Sequence, residues 1–338
     1  MLIRILRRIG QALLVVFGVV CLSFVIVRVV PGDPARSYAG LRASPEELER
    51  VRAQLGTEDP MIVQLGRYFL DLFQGDLGTS LRTRQPVIED LAHALPASLQ
   101  LTGAAIILAM LVGIPLGILA ARYRGRSADW TVRIASVLLV SLPVFWVAVM
   151  AQMFFATRLG WLPIAGDYDQ SLTFTDPLTT VTGMPVIDAL VTGNFTILGS
   201  ALQHLVLPMV VIALYPAGLI TQMTRASLSD ELQYPHVSYA RSLGFGERSI
   251  MTRLALRPAL NPVISSIALV FAYSIVNSFL VEAIFNWPGL GSYTFNAIRA
   301  LDIPAVAGVT LVVATLYVLL NMIVDILQDL VDPRVRTA

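Results

Sequence analysis

Six stretches of the chain are apolar for about twenty residues at a time, with polar connections between them. A bilayer core about 30 Å thick takes about 20 such residues per helical crossing. The pattern therefore predicts six membrane-spanning helices, at approximately Ile9–Val30, Leu99–Ala121, Ile134–Ala156, Leu202–Ile220, Val263–Ile284 and Pro304–Leu327. The fourth is the least regular, because His204, Pro208 and Pro216 interrupt it. The expected fold class is all-α and integral to the membrane. Arg4, Arg7 and Arg8 precede the first stretch, as they would in a secretory leader. Its apolar run is too long for a leader and no small-residue cleavage site follows, so it reads as an uncleaved anchor.

A long polar segment, 31–96, separates the first two stretches. Ser44-Pro45-Glu46-Glu47 reads as a helix N-cap, a proline at the first helical position and a glutamate at the third. Leu48, Val51 and Leu55 recur at helical spacing, and after Pro60 a second stripe follows in Ile62, Leu65, Phe69, Leu72 and Phe73. Two short amphipathic helices are predicted, which either pack on the membrane or other spans or form a platform for an extracytoplasmic partner.

Composition agrees with a chain whose solvent is mostly lipid. Hydrophobic residues make up 56% and charged residues only 14%, where a soluble domain carries roughly a quarter charged. The net charge of +1 decides nothing, but its distribution does. If the N-terminus is cytoplasmic, the same side holds Arg122, Arg124, Arg126 and Arg133, then Arg225, Arg241, Arg248, Arg253 and Arg257, then Arg334 and Arg336. The opposite short connections hold only Arg158 and Arg299. Cationic residues favour the cytoplasmic side, so both termini are expected there.

Several chemistries are excluded by absence. All 24 basic residues are arginine, which removes a phosphate-loop lysine, a Schiff base and a lysine general base. Cys21 is the only cysteine, so no intrachain disulfide or thiolate cluster can form. His93, His204 and His236 have no second ligand three or four residues away, and no metal site is expected. No nucleophile motif or carboxylate pair stands out, so no catalytic residue and no cofactor on this chain is expected.

Proline and glycine interrupt the spans at Gly113-Ile114-Pro115-Leu116-Gly117, Pro143, Pro208 and Pro216. Prolines remove backbone donors and bend helices, as suits a protein that closes and opens around a cavity, while Gly113 and Gly117 permit close helix approach. Among the rare polar groups within spans, Asn277 and Glu282 stand in the fifth, and Asn321 and Asp325 in the sixth. A charge at that depth faces water or a partner. Asp325 reads as structural, and Glu282 either lines an outer gate or caps a neighbouring helix.

The connection between the fourth and fifth spans is the most informative stretch. Residues Tyr234 to Pro258 are arginine-rich and far longer than a plain connection requires. They predict a short helix, a turn at Gly244 and Gly246, and a second helix, with Gly244 in a left-handed cap. Val237, Tyr239, Ala240 and Leu243 are expected to share an apolar face suited to a groove on another protein.

Ala240-Arg241-Ser242-Leu243-Gly244 followed by Glu247-Arg248 resembles the coupling loop of ABC importer permeases, in which an Ala-Ala pair precedes a glycine by three residues. Tyr239 stands in place of the first alanine and Arg257 in place of a frequent proline, departures usual in the peptide and nickel branch. Val30-Pro31-Gly32-Asp33-Pro34 and Gly75-Asp76-Leu77-Gly78-Thr79-Ser80 resemble the first, B-type permease of dipeptide and oligopeptide importers. So do Val281-Glu282-Ala283-Ile284-Phe285, Trp287-Pro288-Gly289-Leu290-Gly291, Asn321 to Asp325 and Asp332-Pro333-Arg334. Only Asp167 to Gly199 lacks a familiar block and reads as an insertion.

The resemblance implies a type I ABC importer permease fold. An arm and first helix (1–30) and an extracytoplasmic segment (31–96) would precede a five-helix core (97–328), with an insertion at 167–199, a coupling loop at 234–258 and a cytoplasmic tail (329–338). It implies a homologous second permease subunit, two ABC ATPase subunits that bind ATP and Mg, and an extracytoplasmic substrate-binding protein, with membrane lipid around and no nucleic acid. Tyr239, Ala240, Arg241, Gly244, Glu247 and Arg248 would engage an ATPase. Asn277, Glu282, Trp287, Pro288, Gly289 and Gly291 would bound the outer end of the path. Cargo would be di- or oligopeptides, with nickel, glutathione or oligosaccharides as alternatives within the class. A stand-alone channel or secondary transporter would need a charge relay or selectivity filter within the spans, for which only Glu282 and Asp325 are on offer, and the inverted repeat that would support it is not visible.

Overall fold

A computed structural model describes residues 2–29, 44–47, 49–50 and 59–331. The Val30–Pro34 motif, the stripe at Leu48, Val51 and Leu55, the Asp325 side chain and the Asp332–Arg334 motif lie outside the described residues. Among the described residues the secondary structure is helical apart from an isolated bridge between Thr79 and Pro86. The elements are α1 (Leu2–Val29), α2 (Met61–Phe73), α3 (Val87–Arg122), α4 (Ser127–Ser141) and α5 (Val144–Ala151). There follow α6 (Pro185–Thr192), α7 (Phe195–Glu231), α8 (Pro235–Ser242), α9 (Glu247–Ile284), α10 (Leu290–Arg299) and α11 (Ile303–Val331).

Four helices, α3, α7, α9 and α11, are each long and apolar enough to cross a membrane. The helices outrun the apolar windows that announced them. α3 has 36 residues and α7 has 37, about 54 Å at 1.5 Å per residue, so each extends well beyond a 30 Å hydrocarbon core. In α1 the apolar part is Ile9–Val25.

The expected third span, Ile134–Ala156, is corrected. It is a bent pair, α4 and Val144–Arg158, meeting at 95°. Pro143 has no amide to donate, and its ring pushes Leu142 to an extended conformation, φ −76° and ψ 132°, where the helix ends. Pro208 and Pro216, by contrast, lie inside a continuous α7.

The described residues form two compact units. One comprises the described parts of Met1–Leu95 with Tyr293–Leu319. Here α1 and α2 pack through Phe17 stacked on Phe69 at 5.3 Å and Phe24 against Tyr68 at 5.8 Å. The predicted stripe on α2 therefore splits: Leu65, Phe69 and Leu72 are half-buried, whereas Ile62 and Phe73 stay exposed. The predicted capping box forms, with Glu47 N–H donating to Ser44 Oγ (3.2 Å) and Ser44 N–H to Glu47 Oε2 (2.9 Å).

The same unit shows why the Gly75–Ser80 block has its composition. Gly75 and Gly78 take φ of 81° and 84°, which favours glycine. Gly78 N–H donates to Asp76 Oδ1 (2.8 Å), and Ser80 Oγ donates to the buried Asp302 at 2.6 Å. Asp302 also accepts from the amides of Arg82 and Ala305, so one carboxylate both caps α11 and anchors the block. The Asp302-Ile303-Pro304 cap signature was available in the sequence and passed unread there.

The other unit comprises Pro96–Ser292 with the described part of Leu320–Ala338. α7 lies at its centre, touching α4, α5, α6 and α9. Gly113 and Gly117 act as packing residues: an added Cβ would stand 2.9 Å from Ala217 O at the first and 2.5 Å from Thr224 Cβ at the second. Small residues let α3 and α7 approach this closely. Gly218 does the same toward α4, where a Cβ would meet Ser136 O at 2.8 Å. Asn194 caps α7 through Ile197 N–H at 2.9 Å.

Within the 167–199 stretch, a buried aspartate holds the turn that leads into α6. Asp188, in the first turn of α6, accepts from Thr182 N–H and Oγ1 (both 2.7 Å) and Gly183 N–H (3.1 Å). Burial acts to raise its pKa, but the hydroxyl and amides of Thr182 and Gly183 outweigh burial and lower it. A lowered carboxylate pKa stabilises the fold above the ordinary aspartate range and loses that contribution as pH falls through the lowered value. Asp188→Asn is therefore expected to lower the neutral-pH melting midpoint and to flatten the acid limb of a thermal-stability profile. An unchanged acid limb would show that Asp188 does not carry the linkage.

Candidate functional site

Two constellations are built inside the second unit. The first is a helical hairpin. Pro235 opens α8 at a position where its missing amide costs nothing. α8 closes in a Schellman motif: Phe245 N–H donates to Ala240 O (3.2 Å), Gly244 N–H donates to Arg241 O (3.1 Å), and Gly244 takes φ of 83°. The left-handed cap expected at Gly244 is thus present. The second arm continues unbroken into the fifth span as α9, through a wide helical turn at Ile250–Ala255 just before Pro258 and Pro262. That span begins earlier than the expected Val263.

The expected apolar face is corrected. Val237 and Ala240 are three apart and point inward, where they pack with Ile250 and Leu232. Tyr239 and Leu243 are four apart and lie further round the helix, 67% and 59% exposed, and Phe245 joins them at 52%. Ala240 is therefore part of the hairpin's own core. Phe245 was missed in the sequence, although an apolar residue just after a left-handed glycine is a recognisable companion of this cap. Arg241 Nε and Nη2 pair with Glu247 Oε1 and Oε2 at 2.5 and 3.2 Å across the turn. The pair is exposed, so it orients the two arms more than it stabilises them. Arg248 is exposed beside it.

The second constellation is an elbow after α9. Glu282 is wholly buried, accepts from Ser278 Oγ (2.8 Å) and from Gly291 N–H (2.7 Å), and its main-chain oxygen accepts from Ser292 Oγ (3.1 Å). Of the two roles open to it in the sequence, capping of a neighbouring helix is the one this geometry displays. Trp287, also fully buried, donates its indole N–H to Ala97 O at 2.9 Å, and Ser98 Oγ accepts from Leu290 N–H at 2.8 Å. Asn286 turns the chain with φ of 46°. Gly289 and Gly291 have no room for a Cβ, which would collide with the Glu282 carboxylate and Ser98 at the first and with Phe279 backbone at the second. Asn277 and Pro288 are exposed, and Asn277 Nδ2 donates to Tyr273 O (2.9 Å). Glu282, Trp287, Gly289 and Gly291 thus form one packed knot.

Two further polar arrangements were not anticipated. Arg225 on α7 grips the buried Asp129 on α4, Nε to Oδ1 at 2.5 Å and Nη2 to Oδ2 at 2.8 Å. Arg122 and Arg126 converge with the hairpin arginines on a cavity of about 930 Å³. Among the described residues, no group of three or more His, Cys, Asp or Glu is placed to hold a metal ion.

The described residues thus form a polytopic helical scaffold of membrane-spanning length with an exposed apolar hairpin between α7 and α9. Over 72% of the chain the fold is similar to that of a solved structure of the inward-facing MetNI methionine ABC transporter, with a TM-score of 0.52, 17% identity and 96% of that chain covered. Residues 113–337 match the family described as binding-protein-dependent transport system inner membrane component, and residues 1–102 match its N-terminal counterpart. The chain belongs to that family, the permeases of ABC importers. It is 42% identical to the probable D,D-dipeptide transport system permease protein DdpB of Escherichia coli K12, across 97% of this chain and 96% of that one. It is 36% identical to the dipeptide transport system permease protein DppB of Alkalihalophilus pseudofirmus, across 99% and 100% of the two chains.

Proposed function

We propose that this permease forms half of the path by which an ATP-driven importer takes up di- and oligopeptides. The other half is a homologous second permease subunit. Two ABC ATPase subunits hold ATP and Mg, and an extracytoplasmic substrate-binding protein delivers the cargo. The chain itself performs no catalysis and carries no cofactor. It resides in the inner membrane of a bacterium or archaeon, with both termini cytoplasmic. The dipeptide systems named for its relatives support the cargo class.

One observation carries the coupling role. Tyr239, Leu243 and Phe245 are exposed apolar side chains on a hairpin whose inner face is separately satisfied by Val237, Ala240 and Ile250. Such a projection suits a groove on another protein. The Arg241–Glu247 pair and the Gly244 turn hold it in shape with Arg248 exposed beside them, and the continuous helix from Glu247 to Ile284 serves as the lever from hairpin to elbow. Movement of the ATPases tilts α7 and α9, and the two packings so produced alternate access to the path. The elbow at Glu282, Trp287, Gly289 and Gly291 bounds the outer end, where Asn277 and Pro288 offer the exposed groups.

Replacing Tyr239 and Phe245 together with alanine is expected to cut dipeptide uptake and permease-dependent ATPase stimulation by at least about tenfold, as loss of interface aromatics does. Membrane abundance should hold, because neither side chain is in the hairpin core. Full uptake by the double variant at normal abundance would refute the docking role.

A further inference from the structure

We propose that the cavity between the end of α3 and the start of α9 seats the headgroup of an anionic phospholipid. Its volume is about 930 Å³, near the upper end of the ~300–1,000 Å³ range of clefts that hold organic ligands. One part of its lining is cationic: Arg122, Arg126, Arg241 and Arg248. Another part is apolar: Ile118, Leu119, Met251 and Leu256.

The charge is uncompensated. Four arginines meet one carboxylate, Glu247, an excess of three positive charges, and Glu247 is already held by Arg241. Among the described residues no carboxylate forms an ion pair with Arg122, Arg126 or Arg248. The Arg122 and Arg126 guanidiniums lie 5.4 and 6.0 Å from the Tyr123 ring centre, which gathers both at one place.

Arginines at the ends of spans commonly reach toward water, and the preference for cationic residues on one side accounts for their presence there. It does not account for their convergence, from two helices and a hairpin, on a single cavity with an apolar wall. Depth decides the ligand. The wall residues Ile118 and Leu119 belong to the apolar run of α3 that ends at Ala121, and Arg122 follows directly, so this side of the cavity lies where acyl chains give way to headgroups. A phosphodiester there can take forked hydrogen bonds from guanidinium groups, while the glycerol and first methylenes lie on Ile118 and Leu256. Basic pockets between spans are suited to anionic headgroups in this way. A soluble phosphate would satisfy the arginines and leave the apolar wall wet.

This inference is independent of what the path carries. The full chain, purified in mild detergent and incubated with phosphatidylglycerol or phosphatidylcholine vesicles, is washed and its retained lipid counted by native mass spectrometry. Wild type is expected to retain phosphatidylglycerol and shed phosphatidylcholine. Arg122→Gln with Arg126→Gln should retain phosphatidylglycerol about thirtyfold less well, at about fivefold per arginine near a charged surface. The Arg122→Lys, Arg126→Lys pair should keep most of the retention, and Arg158→Gln, outside the cavity, all of it. Equal retention of the two lipids by wild type overturns the proposal without any variant. Undiminished retention in the glutamine pair, or an equal loss in Arg158→Gln, overturns it as well. Complete displacement by millimolar inorganic pyrophosphate would reassign the cavity to a soluble anion.

Discussion

Asp129→Ala is expected to destabilise the protein by about 3 kcal/mol, the low end of the range for breaking a buried ion pair from one side. Asp129 is the buried partner, accepting both prongs of the Arg225 fork and the Gly125 amide at 2.9 Å. Truncation leaves the guanidinium against α4 with no anion. Arg225 keeps 22% of its side chain exposed, so water softens the loss and the low end applies. Removing both charges, with Asp129→Leu and Arg225→Leu, should cost less than half as much, because no charge is then left unpaired. Thermal unfolding in detergent measures both. Equal losses in the single and double variants would show that the pair does not lock α4 to α7.

The pair also marks the limit of what the sequence could disclose. Helix existence was legible because an apolar run of bilayer length admits one regular structure in lipid. Local signals were legible because their partners are neighbours in sequence, as in the Ser44–Glu47 box and the Gly244 cap, whereas Gly113 and Gly117 announced a close approach without naming α7 as its partner. Helix ends were not legible. An apolar window reports membrane thickness, whereas α3 and α9 begin well before theirs and α7 runs past its own at both ends. Nor did the sequence separate Pro143, which ends a helix, from Pro208 and Pro216, which do not. That difference depends on whether surrounding helices hold the freed backbone groups. Asp129 finds Arg225 across 96 residues and Asp302 finds Ser80 across 222, and no periodicity encodes such a choice.

The hairpin shows an intermediate case. Its outline followed from Gly244 and Gly246, but the direction of each side chain depended on register. The four positions fall within one half of the helix circumference, and which of them turned inward was decided by the second arm, where Ile250 packs on Val237 and Ala240 alone. The observed register suits the proposed coupling role, because it leaves the larger side chains outward and only small or aliphatic ones inside.

Glu282→Ala is expected to cost up to about 5 kcal/mol. The Gly291 amide loses its buried acceptor, at about 1–3 kcal/mol, and the start of α10 loses a carboxylate worth up to about 2 kcal/mol, while the Ser278 hydroxyl keeps Ile275 O at 2.9 Å. Glu282→Gln keeps one acceptor oxygen and the side-chain volume, so it should retain more than half of the lost stability. The readouts are the melting midpoint and iodide quenching of Trp287 in a variant whose other tryptophans are phenylalanine. Trp287 is wholly buried and tied to Ala97 O, so it should become accessible in the alanine variant before global unfolding. A protected Trp287 and an unchanged midpoint would mean that the elbow is held by apolar packing alone, and that the buried carboxylate serves some other purpose than the cap.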